Sequence, residues 1–133
     1  MTDSIPDILK SAKTIAIIGA SADPARPSHS IMKVLMAAGY KIFPVNPNEE
    51  EILGEVAYPT LADIPADVPI DIVNVFRRPA HTPEVARQAQ ARGAKTLWLQ
   101  QGITNADAQK IAQDAGLNYI EDRCIAVELR LMH

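Results

Sequence analysis

Two short stretches carry side chains suited to gripping a negatively charged ligand. "GASADPARPSHS" (19–30) sets Ser21, Arg26 and Ser28 around two prolines, and "FRRP" (76–79) places Arg77 beside Arg78. Guanidinium groups bind phosphate and carboxylate oxygens through paired, charge-assisted hydrogen bonds. Two like charges next to each other at the end of an apolar run repel unless an anion or carboxylate answers them. Neutral polar groups recur at comparable points: Asn46 in "VNP", and Gln100, Gln101 and Gly102 in "LQQG". The chemistry open to this set is anion recognition.

Groups for catalysis are sparse. His29, His81 and His133 show no metal-ligand spacing, so no metal site is expected. Ser21 follows Gly-Ala rather than standing inside G-x-S-x-G, which speaks against a hydrolase nucleophile. Asp23, Glu121 and Asp122 form no acid/base pair and read as caps and surface charges. Cys124 reads first as a buried, inert thiol. The anion-site residues have plainer readings too. Gly19 serves a tight turn, Ser28 caps a helix, Arg77 and Arg78 form a solvated pair, and Asn46 ends a strand in an Asx turn.

The elements that position these residues follow from the hydrophobic pattern. "TIAIIG" (14–19) and "IDIVNVF" (70–76) are apolar without alternation, as strands covered on both faces are. "KIFPVNP" (41–47), "KTLWLQ" (95–100) and "NYIED" (118–122) read as further strands, with a short one near residues 56–58 and a helical turn closed by Pro65. Helices are expected over 29–39, with Ile31, Val34, Leu35 and Ala38 on one stripe, then over 79–91 and 105–115. Residues 124–133 are expected to form a short terminal helix or an extended tail. Strands alternating with helices of this length make βαβ units. The expected fold is therefore α/β: a doubly wound parallel sheet in three layers, α/β/α, Rossmann-like.

At 133 residues, with 47% apolar and 22% charged residues, the chain (1–133) is expected to be one globular domain. A net charge of −3 speaks against nucleic acid as a partner. No apolar run reaches the ~18 residues of a membrane span, and the first residues lack a secretory pattern. One cysteine fits a reducing cytoplasm. Alanine-rich "ARQAQARGA" is compatible with self-association, so a homo-oligomer and an unidentified protein partner both stay open.

In such sheets ligands sit beyond the carboxyl ends of the strands, where the strand order reverses. Given the common order, the loops after Gly19 and Phe76 flank that crevice, and a helix N-terminus adds its amides. An ordinary dinucleotide site is not met in full. The first and third glycines of the fingerprint are missing, and Asn46-Pro47 stands where a ribose diol takes Asp or Glu. Pro24 and Pro27 stiffen the loop by fixing φ, which lowers the ordering cost of binding.

"GASADPARPSHSI", "FPVNPNEEEILGEVAYPTLADIP", "VNVFRRP" and "GAKTLWLQQGI" together resemble the small stand-alone CoA-binding proteins. Their fold is shared with the N-terminal CoA-binding domain of the succinyl-CoA synthetase alpha subunit. The resemblance implies a domain that holds coenzyme A or an acyl-CoA. It implies Gly19, Ala20, Ser21, Arg26 and Ser28 around phosphate, and Val45, Asn46 and Pro47 beside the nucleotide. Phe76, Arg77 and Arg78 would close the other wall, while Gln100 and Gly102 match the border of the thioester end. Cys124 would then be either inert or close to the CoA sulfur. The synthetase's phosphorylated histidine belongs to a second domain absent from this sequence, so ligase activity is not carried over. Non-catalytic binding is the expected function. A dinucleotide (NAD(P))-dependent oxidoreductase or an acyl-CoA-handling enzyme is the alternative.

Overall fold

The computed structural model describes residues 2–132; His133 lies outside the described residues. Five parallel strands form the central sheet in the order β2-β1-β5-β6-β7. They are β1 (Thr14–Ile18), β2 (Lys41–Val45), β5 (Ile72–Val75), β6 (Thr96–Leu99) and β7 (Asn118–Ile120). A hairpin of β3 (Glu51–Ile52) and β4 (Glu55–Val56) stands apart from them.

Alternate side chains of each strand point to opposite faces, so an unbroken apolar run serves two cores at once. Ala16, Ile18, Val73, Val75, Leu97 and Leu99 pack on one face against α3 (Thr82–Arg92) and α4 (Ala106–Asp114). Ile15, Ile17, Ile72, Trp98 and Ile120 pack on the other, against α1 (Ile5–Ser11), α2 (Pro27–Ala37) and α5 (Ile125–Leu131). The result is the three-layer α/β/α arrangement expected from the sequence. Small residues carry the first helical layer: Ala86, Ala89, Ala108 and Ala112 are fully buried between α3, α4 and the sheet. Among the described residues no helix is long and apolar enough to cross a membrane.

Several details depart from the pattern read above. The buried stripe of α2 runs through Ser28, His29, Met32 and Leu35, whereas Val34 and Ala38 are exposed. Hydropathy missed this because two of the residues turned inward are polar. Helix α1 was not among the expected elements. Ser4 caps it by accepting a hydrogen bond from the Asp7 N–H at 3.2 Å, and Ile8 and Leu9 are buried beneath it. The helix expected from Pro79 begins as a 3-10 turn, Pro79–His81, before α3 proper.

The β3–β4 hairpin turns on Leu53 and Gly54, both at positive φ (51° and 82°). A two-residue turn of this kind normally announces itself as Asn-Gly or Asp-Gly, so Leu-Gly hid it. Pro44 is tolerated because β2 is the edge strand, and its carbonyl still accepts from the Tyr58 N–H at 3.0 Å.

Register decides what meets at the sheet's carboxyl edge. Ile18 pairs with both Val45 and Val75, and Val75 with Leu99. The next residues along each strand, Gly19, Asn46, Phe76 and Gln100, therefore leave the sheet at one level.

Candidate functional site

The chain runs from β1 outward to β2 and then crosses to β5 on the other side of β1, so the strand order reverses between β1 and β5. Gly19 and Phe76 mark that point. Gly19 has φ +84°, and a β-carbon placed on it would lie 2.6 Å from the Phe76 carbonyl oxygen. The two loops touch through their backbones, and only glycine permits it. The tight-turn reading of Gly19 is therefore too weak: the position needs both the φ angle and the missing side chain.

The loop after β1 is braced by its own hydrogen bonds. Ser21 Oγ accepts from the Asp23 N–H at 3.0 Å, and Asp23 Oδ1 accepts from the Ala25 N–H at 2.9 Å. Arg26 occupies the N-cap of α2 with no side-chain capping bond, Pro27 follows in the first turn, and no acidic residue lies there. The helix thus presents an N-terminus whose partial positive charge its own side chains leave unanswered. Ser28 is not the cap expected of it; it is the second residue of the helix and is buried.

Asn46 joins two loops. Its Nδ2 donates to the Ala20 carbonyl at 2.7 Å, and its Oδ1 accepts from the Asn48 N–H at 2.8 Å. The Asx-turn reading holds, and the same side chain also braces the glycine loop.

Two clefts open around this junction. The larger, about 710 Å³, lies on the α2 side and is lined by Gly19, Ala20, Ser21, Arg26, Ser28, Asn46, Phe76, Arg77 and Gln100. The smaller, about 420 Å³, lies on the α3 side; Val45 and Pro47 line it, and it shares Gly19, Asn46 and Arg77 with the first. Arg78 and Gly102 line neither cleft. Arg77 sits at the bend after β5, whereas Arg78 is the N-cap residue of the 3-10 turn Pro79–His81. The rim of three arginines expected from the sequence is in the structure a rim of two, Arg26 and Arg77. Gly102 instead donates its N–H to Asp122 Oδ1 at 2.7 Å, tying the loop after β6 to the loop after β7.

Pro27, Ile31 and Ile103 also line the larger cleft and were not among the expected site residues, and Cys124, for which a place near the ligand was one of two readings, lines it too. The signal for Ile31 was its position one turn after Ser28 on the same helix face. Cys124 is half-buried and open to the cleft, which corrects its reading as a buried thiol. In the smaller cleft, Thr60, His81 and Glu84 had given no sequence signal of a shared site.

Gln100 floors the larger cleft at 6% exposure. Its Oε1 accepts from Asn74 Nδ2 at 3.2 Å and from the Ile125 N–H at 3.3 Å. A polar loop, a pair of arginines and a helix N-terminus lining one cleft with Ile31, Phe76 and Ile103 suit an anionic group joined to a less polar arm.

The chain is similar in sequence and fold to known proteins. The "Uncharacterized protein YneT" of Bacillus subtilis is 44% identical over 123 residues, 92% of this chain and 90% of that protein. The alpha subunit of the ADP-forming acetate–CoA ligase II of Pyrococcus furiosus is 39% identical over 130 residues. There the match takes in 91% of this chain but only 28% of the ligase subunit. A solved structure of a hypothetical protein from Pyrococcus horikoshii superposes with a TM-score of 0.92 at 42% identity, covering 97% of this chain and 90% of that one. A second, from Thermus thermophilus, gives a TM-score of 0.91 at 36% identity, covering 97% and 96%. The sequence model of the family described as "CoA binding domain" matches residues 13–130, a span that contains the whole parallel sheet and both clefts. The chain belongs to the CoA-binding domain family.

Proposed function

We propose that this chain, acting as one domain, binds coenzyme A or an acyl-CoA without catalysing a reaction on it, in the cytoplasm. The ligand's diphosphate rests on Ser21, Ser28 and the N-terminus of α2, and Arg26 and Arg77 neutralise it. The single observation behind this reading is that both arginines line one cleft with that open helix N-terminus, at the strand-order reversal. Family membership supplies the ligand class. The acetate–CoA ligases support the ligand and not the reaction, because this chain spans 28% or less of the ligases from Pyrococcus furiosus and Archaeoglobus fulgidus named ADP-forming acetate–CoA ligase II.

The dinucleotide alternative is less well supported. Asn46 occupies the end of β2, and both polar ends of its side chain are already bonded to protein. A ribose diol would find no carboxylate there. Isothermal titration with CoA, acetyl-CoA, dephospho-CoA, NAD and NADP tests the reading. Micromolar or tighter binding of CoA or its thioester with none of the dinucleotides is the expected result. Preferential binding of NAD or NADP, or no heat with CoA at millimolar concentration, overturns it.

A further inference from the structure

We propose that the end of the larger cleft at Cys124 is a thiol–disulfide exchange site, where this cysteine captures the ligand's terminal thiol as a mixed disulfide. The inference rests on the CoA reading above and adds a covalent step to it.

Cys124 is the chain's one cysteine and lines the same cleft as Gly19, Arg26 and Ser28. It is half-buried rather than sealed in the core. Ile103 and Phe76 line that cleft as well, and such walls suit an aliphatic arm.

A second observation points to a ligand in the same place. Gln100 is 6% exposed and lines the cleft. Its Oε1 is occupied by Asn74 and by the N–H of Ile125, the residue after the cysteine. Its Nε2 donates to no protein group among the described residues, and Gln100 itself lines the cleft. A nearly buried amide donor without a protein partner calls for an acceptor from the ligand, such as an amide or thioester carbonyl.

The segment that carries the sulfur is also held in place. The Arg123 carbonyl accepts from Trp98 Nε1 at 2.9 Å, and Arg123 Nη1 lies 3.6 Å from Glu128 Oε1. Asp122 holds the neighbouring loop through the N–H of Gly102. A thiol and an amide donor that line one cleft with the anion loop suit a ligand that carries phosphate at one end and sulfur at the other.

The step needs no oxidant beyond the ligand's own symmetrical disulfide. The Cys124 thiol gives its proton to water, and the thiolate attacks one sulfur of that disulfide. The ligand S–S bond breaks as the protein–ligand S–S bond forms, and the departing thiolate takes up a proton. One disulfide is exchanged for another, and no electrons are gained or lost overall.

The test treats the reduced protein with CoA disulfide and, separately, with glutathione disulfide at equal concentration, and follows adducts by intact-mass spectrometry. The expected result is a single CoA adduct that dithiothreitol removes. It should form roughly tenfold or more faster than the glutathione adduct, because binding raises the effective concentration of the reacting sulfur. In Cys124→Ser the adduct is absent, and in urea-unfolded protein the preference disappears. Equal rates with the two disulfides in the folded protein overturn the inference. Titration of Cys124→Ser with reduced CoA separates the two failures. Tight binding there, with no rate preference in the unmodified protein, overturns the exchange step alone. No binding by either protein overturns the CoA reading itself.

Discussion

Replacing Gly19 by alanine puts a β-carbon where the loops after β1 and β5 touch. The atom would sit 2.6 Å from the Phe76 carbonyl oxygen and 3.2 Å from its carbon, on a residue at φ +84°. The backbone cannot drift aside freely. Gly19 N–H donates to Val45 at 3.0 Å, and Phe76 N–H donates to Ile18 at 2.8 Å. A left-handed conformation costs an L-residue about 1–2 kcal/mol, and forcing an extra methyl into a packed site adds about 1–3, so about 2–5 kcal/mol is lost.

Gly116 separates the two contributions. It has φ +81°, but an added β-carbon would meet open space, so Gly116→Ala costs only the first of them, about 1–2 kcal/mol. For a chain of this size each kcal/mol lowers Tm by about 4 °C. Calorimetry should then show a loss of about 4–8 °C for Gly116→Ala and about 8–20 °C for Gly19→Ala. Titration with CoA should show weakened binding only for Gly19→Ala, since Arg77 Cδ lies 3.4 Å from the new atom while Gly116 lines neither ligand cleft. Equal melting losses for the two variants, or unchanged CoA affinity in Gly19→Ala, would refute the claim that backbone contact at this glycine builds the site.

Further expectations concern charge. Arg26→Ala and Arg77→Ala should each weaken CoA binding about tenfold or more, since a hydrogen bond to a charged group is worth about 1.5–3 kcal/mol and ~1.4 kcal/mol is one decade. Arg78→Ala, outside both clefts, should change affinity less than about threefold; a loss equal to that of Arg77→Ala would return Arg78 to the site. At the opposite edge of the sheet, burial works to raise the Asp71 carboxyl. Hydrogen bonds from the Lys13 and Thr14 N–H groups, with Lys95 beside it, outweigh burial and hold the carboxyl below the ordinary carboxylate range. A lowered folded-state value means stabilisation that is complete above the unfolded-state value, about 3.9, and lost as pH falls through the folded one. The Tm difference between the unmodified protein and Asp71→Asn should therefore be constant near neutrality and narrow below about pH 4; a difference independent of pH down to 3 would contradict it.

Much of this molecule is legible along the chain. The runs at 14–19 and 70–76 announce strands covered on both sides, and the helical patterns between strands imply parallel crossovers, because parallel strands need them. The strand order expected from the alternation puts Ser21, Arg26, Asn46, Arg77 and Gln100 at one edge of the sheet. Elements that rest on local chemistry alone were harder to read. Helix α1 depends on a Ser4 cap and two buried apolar residues, and the β3–β4 turn uses Leu53 at a φ that side chains rarely adopt.

Sequence by itself determined the layered fold and the edge of the sheet where ligand chemistry gathers, since hydrophobic period and strand–helix alternation are properties of the chain. Tertiary structure alone decided which of two adjacent arginines faces the cleft and that the polar Ser28 is buried. It also decided that Gln100 is fixed through Asn74 and Ile125 by its oxygen alone, and that Cys124 lines the same cleft as the anion loop. Those outcomes depend on register and on the direction of single side chains. A one-residue step on extended backbone reverses a side chain's direction, and composition carries no record of which way it fell.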